Sequence, residues 1–364
     1  HDVEEVGLVK MDFLGIRNLS ILGEAVKIVK ATKAIEIDLT KIAFDDKKSF
    51  ELLAKGETMG LFQLGGSGMT RYLKELKPTN IFDIMAMISL FRPGPMNSIP
   101  EFIERKNNPK KIKYFDSRME DYLKESYGVM VYQDDVLLTA INIAGYTWEE
   151  ADNFRKAMGK KIPAEMAKQK EKFIEGCVKN EMRRDKAEEL FKLIEPFAAY
   201  GFNKAHTASY AVIAYQTAYM KANFPVEFTT AVMTAESDDT DKISAAVAEC
   251  AKMGIIVLPP DINTSKTGFN IENLDKKEKL AKQAKYDMAI RFGFSAIKNV
   301  GKAAIDAIIS ERDANGQFTS IDDLITRVNL RAVNRKTLES LIKAGALDNF
   351  GKRNAMLKIL DEIK

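Results

Sequence analysis

Between about positions 20 and 253 the apolar residues recur three and four apart in segment after segment. That is the period of one helix face, and it excludes the strict alternation of half-buried strands. The punctuation agrees. Ser98 with Glu101, Ser117 with Glu120 and Thr147 with Glu150 have the spacing of capping boxes, in which side chains satisfy the orphan amides of a first helical turn. Helix stops are expected at Arg92-Pro93-Gly94-Pro95, Tyr127-Gly128, Gly145 and Phe224-Pro225. A β-branched run from Ile255 to Leu258 ends at Pro259-Pro260, where a domain boundary is expected. Beyond a lysine-rich stretch, Lys276 to Lys285, the segment Met288 to Phe294 reads as a strand leading into a further set of short helices. The expected fold class is mainly α, with a small α/β-edged domain at the C-terminal end.

A chain of 364 residues is long enough for two or three domains and a sizeable core. Hydrophobic residues at 46% and charged residues at 29% are globular proportions. The net charge of only +3 excludes a uniformly basic surface, so any binding to nucleic acid rests on local clusters. Cys177 and Cys250 are the only cysteines and provide no disulfide framework or thiolate zinc site, which points to a reducing, cytoplasmic setting. No apolar run is long enough for a membrane span, and no membrane partner is expected. The chain opens at His1 on a sequence that reads as the middle of a folded region, so it is expected to be a piece of a longer protein.

Four segments carry possible chemistry. In Leu8 to Gly15, alternation places Lys10 and Asp12 on one face of a strand. They are either a metal-binding carboxylate beside a phosphate-binding cation or an exposed salt bridge. The window 153–172 holds seven basic and two acidic residues. There Arg155, Lys156, Lys160 and Lys161 form either a solvated helix edge or a cationic surface that needs an anion to relieve its repulsion. Tyr200-Gly201-Phe202-Asn203-Lys204-Ala205-His206 is a turn feeding the helix Thr207 to Asn223, a setting favourable to phosphate. His206 is the only internal histidine, which excludes a two-histidine site. Tyr210, Tyr215 and Tyr219 follow at helical spacing, as packing or base-stacking residues. Finally, Ile297-Lys298-Asn299-Val300-Gly301-Lys302 is a hairpin before a helix, and Leu341 to Asp348, with Lys343 and Gly345, precedes the helix Lys352 to Ile363. Glycine in such a hairpin lets backbone amides approach a DNA phosphate, but glycine also ends many helices.

The order and wording of these motifs resemble the C family of DNA polymerases, the bacterial replicative DNA polymerase III alpha subunits. Lys10-Met11-Asp12-Phe13-Leu14-Gly15, Gly60-Leu61-Phe62-Gln63-Leu64, Phe91-Arg92-Pro93-Gly94-Pro95, Tyr132-Gln133, Arg155 to Lys161, Tyr200 to His206 and Leu258 to Asn263 carry the likeness over essentially the whole chain. Phe62-Gln63 and Phe91-Arg92-Pro93 look like the replicative form. The cysteines of the zinc-bearing form are missing.

The resemblance implies the last part of the palm over residues 1–20, multi-helix fingers over 21–260 and a tandem helix-hairpin-helix domain over 261–364. It also implies a short palm strand at the N-terminus, carrying Asp12 as the third catalytic, metal-binding carboxylate. Lys10, Arg155, Lys156, Lys160, Lys161, Asn203, Lys204 and His206 would face the incoming nucleotide or template. Arg92, Lys298, Val300, Gly301, Lys302, Lys343 and Gly345 would contact DNA. The implied cofactor is Mg2+ in a two-metal site, incomplete in this chain because the family's paired aspartates precede His1; Asp238-Asp239-Thr240-Asp241 is a loop at a helix start and no substitute. Implied partners are primer-template DNA, deoxynucleoside triphosphates and the palm, thumb and phosphoesterase-like parts of the polymerase. A sliding clamp and other replisome subunits would bind through regions outside this chain. The isolated chain is expected not to polymerise. The competing reading is a non-enzymatic, sequence-independent DNA-binding protein, which would have no need of Lys10 and Asp12.

Overall fold

The computed structural model describes residues 3, 6–11, 13–160, 163–274 and 284–362, without side chains at 158–160, 163–165, 196–200, 361 and 362. Among them are 17 α-helices and three short strands. The chain divides into two compact units, His1–Asp38 with Phe224–Lys364, and Leu39–Asn223. No helix among the described residues is long and apolar enough to cross a membrane.

The unit Leu39–Asn223 is organised around the helix Lys204–Asn223, which packs on Ile81–Leu90 and Lys47–Lys55. Its buried residues include Ala211, Ala214 and Ala218, small enough for neighbouring helices to approach closely. Ile81–Leu90 is buried from Asp83 to Leu90 and so is apolar nearly all round. A second core in this unit joins Gln133–Asn142, Trp148–Lys160, Pro163–Lys179 and Arg184–Tyr200. There the rings of Phe154 and Phe173 stack at 5.6 Å, with Phe191 tilted against them.

The other unit pairs Arg17–Lys33, through Ile21, Leu22, Ala25 and Val29, with the almost wholly buried helix Pro225–Ala235. A three-stranded sheet follows, in the order β1 (Ile256–Leu258), β3 (Met288–Arg291), β2 (Asn270–Asn273), with β1 parallel and β2 antiparallel to β3. The C-terminal helices Lys302–Asn315, Ile321–Arg327, Arg335–Ala344 and Arg353–Glu362 close on one apolar cluster. Gly293 has to be glycine, since a Cβ there would collide with the Gly268 backbone.

Several local expectations are corrected. The strand expected around Lys10 does not form: residues 8–11 and 13–16 join no ladder, and Val9 and Phe13 are 78% and 92% exposed. A strand is stabilised only by a partner, and no described segment pairs with this one. Ser98 already has helical backbone after the 3-10 turn Pro95–Ser98, so it does not cap, and Glu101 pairs with Arg105 instead. Ser117 lies inside a 3-10 turn capped by Asp116. The Thr147–Glu150 capping box forms reciprocally at 3.2 and 2.8 Å. Asp239 caps Thr240–Met253, in keeping with a loop at a helix start. The sequence carries no signal for β2, because Asn270-Ile271-Glu272-Asn273 has only one apolar residue. Residues 276–283 of the lysine-rich stretch lie outside the described residues.

A buried ion pair joins Asp83 and Lys106. Their side chains are 0% and 9% exposed and meet at 2.7 Å. Tyr127 and the Thr79 amide also donate to Asp83, while Lys106 donates to the Lys77 carbonyl. Removing one partner strands a buried charge. Asp83→Ala is therefore expected to lower the unfolding free energy by about 3–5 kcal/mol in urea titrations followed by circular dichroism; a loss below about 1 kcal/mol would contradict this.

Candidate functional site

The helix Lys204–Asn223 begins at a turn held from several sides. Asn203 caps it, its Oδ1 accepting the His206 amide at 2.9 Å. The first helical amide, that of Lys204, donates to Asp134 Oδ2 at 2.9 Å. A carboxylate of the chain therefore occupies part of the place that a helix N-terminus offers to an anion. Upstream, Phe202 pairs with Tyr132 in an isolated bridge, and its carbonyl accepts the Gln133 amide at 3.1 Å. The Arg92 guanidinium lies over the Phe202 ring, 3.7 Å from its centroid. The ring of His206 sits 5.1 Å from Phe202 and 4.2 Å from Tyr210, which in turn meets Phe62 at 5.1 Å. The Lys204 ammonium pairs with Glu125 at 3.3 Å and lies 5.5 Å from the Tyr132 ring centroid. Ser89 and Thr207 hydroxyls, 2.9 Å apart, tie the same helix to Ile81–Leu90.

Residues far apart in sequence, at 62, 92, 132 and 202–206, are thus gathered at one end of one helix. Tyr215 is structural: it is fully buried, donating to the Ala43 carbonyl and accepting the Asp46 amide.

Asp135 stands behind this turn. It is 2% exposed, and its Oδ2 accepts the amides of Val131 and Tyr132 at 2.8 and 2.9 Å. Burial pushes its carboxyl up to about 7, partly offset by those two amides and by Lys204. Sequence reasoning missed Asp134 and Asp135; their signal was a pair of acids in the first turn after Tyr132-Gln133.

Arg155 and Lys156 turn toward their own helix. Arg155 holds Asp152 Oδ1 at 2.7 Å and Lys156 holds Oδ2 at 2.7 Å. The hydrogen bonds from Lys156 and Arg155 keep the Asp152 carboxyl below its usual range. The anion expected to relieve this cationic edge is, in the chain itself, Asp152. The described contacts do not join Arg155 or Lys156 to the Arg92–Phe202 cluster. The side chain of Lys160, and Lys161 and Asp12 altogether, lie outside what is described; Lys10 is exposed. A cavity of about 310 Å3 lined by Arg105, Tyr114, Phe115 and Leu193 among others contains none of the expected site residues.

In the C-terminal helices, Lys298 and Gly301 are exposed, whereas Val300 is buried with its amide bonded to the Ile297 carbonyl. Lys302 pairs with Asp306 and Lys343 with Glu339, each one turn away. Gly345 is buried. Among the described residues no group of three or more His, Cys, Asp and Glu side chains stands together as metal ligands.

Residues 18–181 match the family described as the bacterial DNA polymerase III alpha subunit finger domain, and residues 254–357 match the helix-hairpin-helix motif. Over 99% of its length the chain is 44% identical to DNA polymerase III subunit alpha of Thermus aquaticus, covering 29% of that protein. It is 42% identical over 98% of its length to DNA polymerase III subunit alpha of Escherichia coli K12, covering 30%. To that of Deinococcus radiodurans it is 40% identical, covering 27%. The chain thus spans less than a third of these relatives' length.

The titration of Asp135 has a measurable sign. A folded-state value raised to about 7 means that the native protein binds the proton more tightly than the unfolded chain. This contribution to stability is full below the ordinary aspartate range and is lost as pH rises through about 7. Denaturant titrations across that window should show wild-type stability falling with pH relative to Asp135→Asn, which keeps an acceptor but does not titrate. Parallel pH profiles for the two proteins would refute the assignment.

Proposed function

Because this chain belongs to the bacterial DNA polymerase III alpha family, we propose that it works as part of a DNA-directed DNA polymerase, contributing the nucleotide-facing fingers surface and a sequence-independent grip on primer-template DNA. In this reading residues 1–20 end the palm, 21–260 are fingers and 261–364 are the tandem helix-hairpin-helix domain. Deoxynucleoside triphosphates are the substrates, and the remainder of the polymerase, the clamp and other replisome subunits are partners of the assembled enzyme.

The observation that carries the DNA-binding part is Gly301. Its φ of −82° is open to any residue, and a Cβ added there would meet nothing within 4 Å. Neither strain nor crowding within the fold calls for glycine at this position. What glycine leaves room for is an outside surface pressed close to the backbone, as a DNA phosphate is at a hairpin. The neighbouring helix Lys302–Asn315 has no side-chain cap and no acid in its first turn, so its start is favourable to an anion.

For the fingers, the gathering of Arg92, Phe202, Lys204 and His206 supports a nucleotide- or template-facing surface. Its rings and cations suit bases and phosphates. Arg155 and Lys156 would exchange Asp152 for triphosphate oxygens, since a carboxylate on their own helix holds their side chains in place until a stronger anion arrives. Magnesium would supply charge stabilisation at the reacting phosphate, and Asp12 is proposed as one of several carboxylates needed to hold it, with the others elsewhere in the polymerase.

The test uses the complete polymerase. Arg155→Ala should raise the apparent Michaelis constant for nucleotides about ten- to a hundredfold with DNA affinity little changed. Asp12→Asn should abolish primer extension while leaving DNA binding nearly intact. In the 364-residue chain, Gly301→Ala should stay within about 1 kcal/mol of wild-type stability, yet bind duplex DNA about tenfold more weakly. Robust extension by the Asp12→Asn enzyme, or unchanged DNA binding by the Gly301→Ala chain, would sink the corresponding part of the reading.

A further inference from the structure

We propose that the DNA-contacting face of the C-terminal helices is built from the first hairpin, Lys298 to Lys302, together with the start of the helix Arg335–Ala344, with Lys336 as a phosphate contact alongside Lys298, and that the second hairpin around Gly345 serves the fold alone. This rests on the DNA-binding reading above and assigns its residues differently from the sequence.

The two hairpin glycines have different physical reasons. Gly301 is exposed, with ordinary φ and open space beyond it. Gly345 is buried with φ +90°, a left-handed position that L side chains avoid, and its amide is bonded to the Ile342 carbonyl. A Cβ on Gly345 would also strike the Arg353 guanidinium, which grips Asp348 at 2.6 and 2.7 Å. Gly345 is fully accounted for by the end of its own helix.

The first hairpin, by contrast, is fastened to the helix Arg335–Ala344. Asn299 at the hairpin tip has φ +67°; its carbonyl accepts the Thr337 hydroxyl at 3.2 Å and its Nδ2 donates to Ser340 Oγ at 3.3 Å. Thr337 and Ser340 are one helical turn apart, and both touch Asn299. Lys336 immediately precedes Thr337 and lies one turn before Ser340, whose hydroxyl donates to the Lys336 carbonyl at 2.9 Å. Residues four apart on a helix are neighbours on its surface, so Lys336 lies on the strip that adjoins the hairpin.

Charge sharpens the distinction. Lys302 and Lys343 are each neutralised by a carboxylate one turn away, Asp306 and Glu339. Lys298 and Lys336 are exposed, and neither makes a direct salt bridge among the described residues; Glu339, which feels the charge of Lys336, is gripped by Lys343. A phosphate approaching Gly301 would meet two ammonium groups with no direct carboxylate contact, and each phosphate so neutralised releases a counterion.

The experiment is a salt titration of the 364-residue chain on a primer-template duplex, read by fluorescence anisotropy. Lys298→Gln and Lys336→Gln should each flatten the plot of log affinity against log salt by about 0.9. Lys343→Gln should leave the slope of the parent chain. A parental slope for Lys336→Gln, or a slope lowered by Lys343→Gln, would overturn the assignment. A variant with Lys298, Lys302, Lys336 and Lys343 all replaced by Gln that still bound with the parental slope would instead refute the DNA-binding reading of these helices, and the assignment with it.

Discussion

Burying the helix Lys204–Asn223 while leaving none of its polar groups stranded is the constraint on which the unit Leu39–Asn223 depends. Alanines at 211, 214 and 218 let the flanking helices come close, but the same burial takes Tyr215, Thr217 and Lys221 out of water. An unpaired buried donor costs as much as several apolar contacts return. Each of these is answered by a connecting segment: Tyr215 by Ala43 and Asp46, Thr217 by the Phe62 amide, and Lys221 by the carbonyls of Glu57 and Met59 at 2.9 and 3.0 Å. The segments between Leu39 and Leu64 are therefore shaped by what the helix needs. Phe62, brought in this way, extends the ring contacts that begin at Phe202.

The electrostatics follow the same logic of local compensation. A chain with nearly equal numbers of acids and bases could form separate fields of each sign; this one pairs many of them, some on neighbouring turns and some between distant segments. Asp152 takes Arg155 and Lys156 and Asp306 takes Lys302 within one turn, while Glu125 and Asp134 reach the ammonium and amide of Lys204 from distant segments. Such exposed pairs add little stability. Their effect is to hold long cationic side chains in place.

Helical periodicity made the fold class legible, and proline and glycine punctuation made the ends of Ile81–Leu90 and Lys204–Asn223 legible. Capping was legible only where no 3-10 turn had already taken up the expected cap. The Thr147 box forms; that of Ser98 does not, because the 3-10 turn Pro95–Ser98 already commits it to helix. β2 was hidden because its stability comes from pairing with β3, not from its own residues. At the candidate site, residue types such as Arg92 and His206 could be singled out from order and wording. Their ring partners, and the buried carboxylate of Asp135 behind them, could not, since nothing in a linear sequence relates position 92 to 202. The two hairpins read alike in sequence because glycine serves a left-handed backbone and an open surface equally well; only φ and the space around the Cβ separate the two uses.

The turn from Phe202 to His206 owes little of its shape to its own five residues. Its cap is its own, but its first helical amide is fixed from position 134, its bridge from 132 and 133, its ring cover from 92 and its downstream helix from 89. A segment supported this way is not a portable module. Transplanted alone into a foreign scaffold it would bring its sequence without its conformation, and in a chimera of two relatives the breakpoints that preserve it are those that keep positions 89–92, 132–134 and 202–207 from the same parent. Inheritance acts on such a site as a block of scattered positions that must change together, whatever their distance along the gene.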